Sequence, residues 1–259
     1  MKELLINHLK KTSRFYLMFS GGFDSSAILG CAVEAHLDVV PVWIDNGFNR
    51  VTEKEIKQQA VNMGCENLEI IHMTPQQKVL KNPVDRCYHC KNQLINPVIS
   101  RKDALVFDGT NASDSNNYRP GVKALRKGGV RSPLAELKIT KEQARELAIT
   151  MGADPIIANM EGCLATRFNY DVEITTKRLN TLRKIEQEIL RTTGDHHLRC
   201  RLDDEEHLRI ECRNQATFTK LIEPEFREKI VESGKQIATF VTLDLEEARK
   251  NAFDKKLGL

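Results

Sequence analysis

Apolar positions in the first part of the chain fall in two alternating rhythms. Phe15 to Phe19, "FYLMF", is a short continuous apolar run of the kind that forms a strand buried on both faces. Past Ser20-Gly21-Gly22, the positions Ala27, Ile28, Ala32, Val33 and Ala35 fit one helical stripe. "DVVPVWIDNG" predicts a second buried strand that ends on Asp45, and "NLEIIHM" a third. Between them "VTEKEIKQQAVNMG" reads as a helix, with Thr52 and Glu55 in a capping-box pattern and Gly64 at its end. Residues 1–12 predict a short amphipathic helix, and residues 85–102 are expected to be mostly helical. "ALVFDGTN" is a fourth strand, ending on Asp108-Gly109-Thr110, and Thr140 to Gly152 is another capped helix. Strands that alternate with helices predict an α/β fold: a Rossmann-like parallel sheet with helices on both faces. Ligands of such sheets sit beyond the carboxyl ends of the strands, where Ser20, Asp45 and Asp108 all fall.

After about residue 170 the rhythm changes. A long helix, "ITTKRLNTLRKIEQEILRTTG", leads to two short strands, "HLRCRL" and "HLRIEC", around an acidic turn. A helical stretch near residues 217–233 and a strand, "IATFVTL", follow. The expected organisation is therefore a larger domain over residues 1–168 and a small α+β domain over residues 169–259. No internal repeat or low-complexity tract interrupts either.

The junction of the first strand and helix carries the first chemistry. Ser20-Gly21-Gly22 is a turn that another group can approach closely, and Asp24, Ser25 and Ser26 are residue types that open helices. Helix-start amides and the helix dipole then face the turn, which suits an anion. Neither the Walker pattern nor the dinucleotide pattern GxGxxG is present. Composition narrows the partners. The net charge of +3 is too small to argue for nucleic acid. No apolar run approaches the length of a membrane span, and the start of the chain lacks the apolar core of a signal peptide, so a cytoplasmic location is expected.

Seven cysteines, an odd number at irregular spacing, point to thiol, metal or catalytic roles in a reducing compartment rather than to a disulfide framework. Cys87-Tyr88-His89-Cys90 is a CxxC, which alone fits a redox pair, half a zinc site or part of an iron–sulfur site. There is no second CxxC. The best further candidate is Cys163 in "MEGCLATRF", with Arg167 close behind to favour a thiolate. Three thiolates can hold a 4Fe–4S cluster and leave one iron open to an outside ligand such as hydrosulfide. Cys31, Cys65, Cys200 and Cys212 fit core positions.

The string S-G-G-F-D-S, Ser20 to Ser25, matches the PP-loop of the ATP pyrophosphatase superfamily. That resemblance implies ATP cleaved between the α- and β-phosphates, with the backbone of Gly21 and Gly22 and the serine hydroxyls on pyrophosphate, and Asp24 at the helix cap or at Mg²⁺. Further strings follow in order: "DRCYHCKNQL", "DGTNASDSNNYRPG", "VRSPLAEL", "GCLATRF" and "LRCRL…LRIEC". Together they resemble the LarE family of ATP-dependent sulfur transferases over nearly the whole chain. The resemblance implies adenylation of a carboxylate of pyridinium-3,5-dicarboxylic acid mononucleotide, followed by replacement of AMP with sulfur. The product belongs to nickel-pincer cofactor synthesis. Some family members sacrifice the sulfur of one cysteine, in the place of Cys163. Others carry three, and Cys87, Cys90 and Cys163 resemble that 4Fe–4S type, with sulfide or another sulfur donor as partner. Departures are small: Phe23 within the loop, and Thr166 where the family string has Ser.

Adenylation needs phosphate charge offset, by Mg²⁺ and by cationic candidates Arg119, Arg131 and Arg167. ATP contacts are expected from Ser20, Gly21, Gly22, Asp24, Ser25, Ser26, Asp45, Asp108, Gly109, Thr110 and Arg131. Strand alternation places Arg199 and Arg201 together on the outer face, with Arg209 and Glu211 opposite, a set that fits a ribose phosphate or a solvated hairpin. Family analogy puts such positions near a subunit interface, implying a trimer-based homo-oligomer or a hexamer. Three rivals keep parts of this reading. An ammonia-using synthetase would leave the three cysteines idle, and no glutaminase-like stretch accompanies the loop. A tRNA thiouridine synthetase would need an RNA-binding appendage, and the chain lacks strongly basic, aromatic-rich segments. A zinc- or nucleotide-binding module would hold metal without releasing AMP.

Overall fold

In the computed structural model, residues 1–116, 120–160, 162–249, 253, 254 and 258 are described. The elements in chain order are α1 (Lys2–Leu9), β1 (Arg14–Met18), α2 (Phe23–Glu34), β2 (Asp38–Asp45), α3 (Glu53–Asn62), β3 (Glu69–His72), α4 (Gln77–Leu80) and α5 (Arg86–Ile99). They continue with β4 (Leu105–Phe107), α6 (Pro120–Lys127), α7 (Pro133–Glu136), α8 (Lys141–Thr150) and α9 (Pro155–Asn159). The last are α10 (Thr176–Thr193), β5 (Arg199–Leu202), β6 (His207–Glu211), α11 (Gln215–Ile222), α12 (Pro224–Gly234) and β7 (Phe240–Leu243). Two compact units divide the chain: residues 1–76 with 85–161, and residues 77–84 with 162–259.

The first unit is built on a parallel sheet of order β3-β2-β1-β4. Tyr16 pairs with Val40 on one side and Val106 on the other, so the apolar run of β1 is central and its polar groups are met from both edges. Alternation splits β1 between two cores. Tyr16, Val40, Val42, Ile44 and Val106 pack with Ile95 and Val98 of α5 and Leu125 of α6. Phe15 and Phe107 turn the other way, with ring centroids 4.7 Å apart. The chain steps from β1 to β2 to β3 in one direction, then returns to lay β4 on the far side of β1. The order therefore reverses between β1 and β4, the switch point at which parallel sheets of this kind open a crevice.

Both predicted caps form. The Thr52 side chain accepts from the Glu55 amide and Glu55 answers on the Thr52 amide at 2.8 Å. Thr140 and Gln143 do the same on α8. Thr52→Ala is expected to lower stability by about 1 kcal/mol, read as the shift in urea midpoint at unchanged slope.

The second unit carries a three-stranded sheet of order β5-β6-β7, antiparallel between β5 and β6 and parallel between β6 and β7. α10 and α12 pack together and α11 joins them. Gly194 ends α10 in the left-handed region, φ 71°. Among the described residues, no helix is long and apolar enough to cross a membrane.

Candidate functional site

The turn after β1 is shaped by its own hydroxyls. The Ser25 hydroxyl takes the Ser20 amide at 3.2 Å, lies 3.1 Å from the Ser20 hydroxyl and donates to the Gly22 carbonyl at 3.2 Å. Ser26 donates to the Gly21 carbonyl at 3.4 Å. Ser25 and Ser26 are buried, whereas Ser20 is exposed at the mouth of the turn. The first backbone bond of α2 runs from the Ser26 amide to the Gly22 carbonyl, so the amides ahead of it face the turn, as at any helix start. Gly21 has φ 79°, a conformation that needs glycine, and a Cβ there would lie 2.5 Å from Ile56 Cδ1.

Two side chains that the sequence reading did not single out fix this turn. Gln59 of α3 is fully buried; its amide nitrogen donates to the Gly21 carbonyl at 3.2 Å, and its oxygen accepts the Asp154 amide at 2.9 Å. The second is Asn111, whose amide donates to Asp24 at 3.0 Å. Gln59 sits in the polar string "EKEIKQQAVN" beside a second glutamine. Only its position on the buried stripe with Ile56 and Ala60, at helical spacing, hints that it faces inward.

Across the switch point, the loop after β4 lies against α2. A Cβ on Gly109 would stand 2.9 Å from the Ser25 nitrogen and 3.1 Å from Asp24 Cβ. Asp108 is buried, and its two carboxylate oxygens accept from Thr110 and Ser132 hydroxyls, each at 2.6 Å. Arg131 forms a parallel bridge with Phe107 and takes the Asp108 amide on its carbonyl at 3.0 Å. Its guanidinium forks onto Glu136 at 3.0 and 2.5 Å, which holds the Glu136 carboxyl below its usual range. The strand ends thus bring Ser20, Gly21, Gly22, Asp24, Ser25, Ser26, Asp108, Gly109 and Thr110 together. Asp45 ends β2, accepts the Gly47 amide at 2.9 Å and lies 3.7 Å from His72. Arg119 lies outside the described residues.

The CxxC occupies the first turn of α5, where i and i+3 share a face. Both thiols are half-buried and neither is in a disulfide. Arg86 donates to Cys87 Sγ at 3.4 Å, and Asn46, directly after β2, donates to Cys90 Sγ at 3.4 Å. Asn46 therefore ties the pair to the carboxyl end of the sheet. Cys31, Cys65, Cys200 and Cys212 are all buried. Burial pushes the Cys31 thiol up to about 12 and raises Cys65 and Cys212, so these are poor thiolates.

In the second unit Cys163 is exposed and heads the turn Leu164–Arg167, with its carbonyl accepting the Thr166 amide at 3.0 Å. Arg167 is buried and its fork is taken by Glu186, at 2.5 and 3.2 Å. On the hairpin, Arg201 stands opposite Arg209 and Arg199 opposite Glu211, so the four share one face, as alternation predicts. The expected outer face differs at two positions, since Glu211 is fully buried and Arg201 is only 5% exposed. The chain's later residues cover it: the Arg249 carbonyl accepts from Arg201 at 2.8 Å, and the Phe253 ring lies 5.3 Å away. Arg201, Arg209 and Arg249 are matched there by Asp203, Glu211 and Asp244. A phosphate would have to displace a carboxylate to use these cations. Arg199 donates to the carbonyls of His196 and Leu198, at 3.0 and 2.7 Å.

No protein-family model matches the sequence. Three curated proteins are similar to it. An uncharacterized protein of Synechocystis is 29% identical over 265 residues, spanning 94% of this chain and 93% of that protein. An uncharacterized protein of Methanocaldococcus jannaschii is 29% identical over 190 residues, 71% of this chain and 73% of that one. The pyridinium-3,5-bisthiocarboxylic acid mononucleotide synthase of Lactiplantibacillus plantarum is 27% identical over 214 residues, 79% of this chain and 76% of the synthase.

Among the described residues, no three His, Cys, Asp or Glu side chains form a metal-sized group within either unit. The donor chemistry nonetheless suits a thiophilic group at the CxxC, because both sulfurs are half-buried and each receives an N–H bond.

Proposed function

We propose that the chain is an ATP-dependent, AMP-forming sulfur transferase acting on a carboxylate of a pyridinium dicarboxylic acid mononucleotide. The observation that carries the nucleotide half is the joint at the switch point, where the Ser20–Ser25 turn meets the Asp108–Asn111 loop with Gly109 against the Ser25 amide. The sulfur half is supported by the likeness to the Lactiplantibacillus synthase, whose name states a bisthiocarboxylic product.

Ser20, the helix-start amides and the backbone of Gly21 and Gly22 would hold the β- and γ-phosphates, with the α2 dipole offsetting their charge. Asp24 and Asp108 are the carboxylates that would hold Mg²⁺, which when bound offsets phosphate charge. A substrate carboxylate oxygen attacks the α-phosphorus and pyrophosphate leaves, giving the acyl adenylate. A sulfur nucleophile then adds to the acyl carbon, the C–O bond to AMP breaks, and a thiocarboxylate remains. Cys87, Cys90 and Cys163 would hold a 4Fe–4S cluster, which when bound supplies an iron at which hydrosulfide is presented. If Cys163 itself gives the sulfur, its thiolate displaces AMP to form a thioester, and elimination of the Cα proton with cleavage of the Cβ–S bond then releases the thiocarboxylate, leaving dehydroalanine and a chain lighter by one H₂S after a single turnover.

The test uses protein prepared without oxygen, with ATP, Mg²⁺, sulfide and pyridinium-3,5-dicarboxylic acid mononucleotide. Wild type is expected to form AMP, pyrophosphate and a thiocarboxylate in equal amounts. Cys163→Ala is expected to keep pyrophosphate release and to accumulate the acyl adenylate, but to lose at least about 100-fold of AMP release and of the sulfur product, because pyrophosphate leaves in adenylation and AMP leaves only in the sulfur step. Pyrophosphate release that ignores the nucleotide substrate would sink the substrate assignment. Iron and acid-labile sulfide lost in each cysteine variant would support the cluster, and a wild type without iron would leave Cys163 as donor.

A further inference from the structure

Asn111 is 1% exposed and every polar group of it is engaged. Its backbone amide donates to Asp114 at 3.2 Å, and its side-chain oxygen accepts the Ser113 amide at 2.9 Å. These two bonds close a tight turn that locks the side chain. Its carbonyl accepts the Asp114 amide at 3.2 Å, and its Nδ2 amide donates to Asp24 Oδ2 at 3.0 Å across 87 residues of sequence. Asp24 is the second residue of α2, where an acidic side chain ordinarily serves the helix start. Here the cap position belongs to Gly22, which offers no side chain, and Asp24 is held to the opposite loop instead. Gly109 makes the reach possible by setting the loop backbone against Asp24.

We infer that Asn111 is a positioning residue that aims the Asp24 carboxylate into the crevice and so sets how strongly the nucleotide site takes Mg²⁺. The inference rests on the nucleotide reading above. The residue type fits the task. A neutral amide fixes a carboxylate with one hydrogen bond while leaving its charge for a cation. An Arg or Lys in the same place would offset that charge and compete with the metal. The lock is supplied by Ser113 and Asp114, so the Asn side chain is pre-set and little ordering is left for the moment of binding.

The measurement is calorimetric titration of the full chain with α,β-methylene ATP, with excess Mg²⁺ and with chelator, alongside thermal unfolding. Wild type is expected to bind the analogue more tightly with Mg²⁺. Asn111→Ala is expected to change the chelator affinity less than about twofold and to cut the Mg²⁺ enhancement about tenfold, the size of one charge-assisted hydrogen bond. Asn111→Asp keeps the acceptor for Ser113 but places a second carboxylate beside Asp24. It should weaken chelator binding through repulsion of the phosphates and enlarge the Mg²⁺ enhancement above wild type. Opposite signs in the two variants are not produced by a damaged loop. Equal losses with and without Mg²⁺, an enhancement unchanged in both variants, or a wild type with no Mg²⁺ enhancement would each overturn the inference. A wild type that binds the analogue under neither condition removes the nucleotide reading itself, a separate and recognisable outcome.

Discussion

Replacing Gly109 by alanine is expected to reduce ATP affinity and AMP formation about 100-fold while the protein stays folded. The reason is space rather than backbone freedom. The added Cβ would stand 2.9 Å from the Ser25 nitrogen, 3.1 Å from Asp24 Cβ and 3.2 Å from the Asp24 carbonyl carbon. None of these is the far end of a flexible side chain. The loop after β4 and the start of α2 must therefore separate, and a shift near 1 Å at a phosphate site costs on the order of 10²-fold. Crowding of this kind costs about 1–3 kcal/mol of stability. Gly194→Ala is the control. It meets nothing within 4 Å but sits at φ 71°, so it carries a comparable backbone strain of about 1 kcal/mol within the second unit. Calorimetric binding of an ATP analogue to both variants decides the matter. Wild-type affinity in Gly109→Ala would show that the two loops need not touch.

The contrast between these glycines shows how much was readable in advance. Gly64 and Gly194 end helices and stand at the close of visible stripes, and both adopt the left-handed region. Gly21 belongs to the turn that the break in the apolar run announced. Gly109 lies only beyond a short apolar strand, and its neighbour Ser25 is far off in sequence, so nothing local states that they meet. The strand order is hidden in the same way, because β1, β2 and β4 carry similar apolar runs and only pairing places β1 between the others. Gln59 reads as one polar residue among several until burial shows it under Gly21. Arg201 marks the limit of two-residue alternation. The pattern places it correctly beside Arg209, but the cover supplied by Arg249 and Phe253 comes from a remote segment. Residues 77–84 likewise join the second unit through Asn82, whose amide donates to carbonyls of Phe168, Asn169 and Val172. One four-residue helix and one asparagine are too brief a signal for any period.

Arg167 is the position where stability and function are most easily confused, and it carries the second large effect. Arg167→Ala is expected to destabilise the second unit by about 3–5 kcal/mol, because it strands the Glu186 carboxylate without its cation. Arg167 and Glu186 side chains are 3% and 2% exposed, and the fork is bidentate. Glu186 also accepts the Cys200 amide at 2.9 Å, so the pair anchors α10 to β5. Arg167→Lys should recover little, since an ammonium cannot match both oxygens. Arg167→Met with Glu186→Gln should recover more, because it removes both charges yet leaves an acceptor for Cys200. At this size the single change corresponds to a fall in Tm of roughly 10 °C or more. If Arg167 served phosphate instead, the double variant would fold well and remain inactive. If it serves the fold, sulfur transfer should return with stability, because Cys163 lies in the turn that Arg167 closes. Urea unfolding and thiocarboxylate formation on the same four proteins separate the two, and a single variant within 1 kcal/mol of wild type would deny the buried pair its structural role.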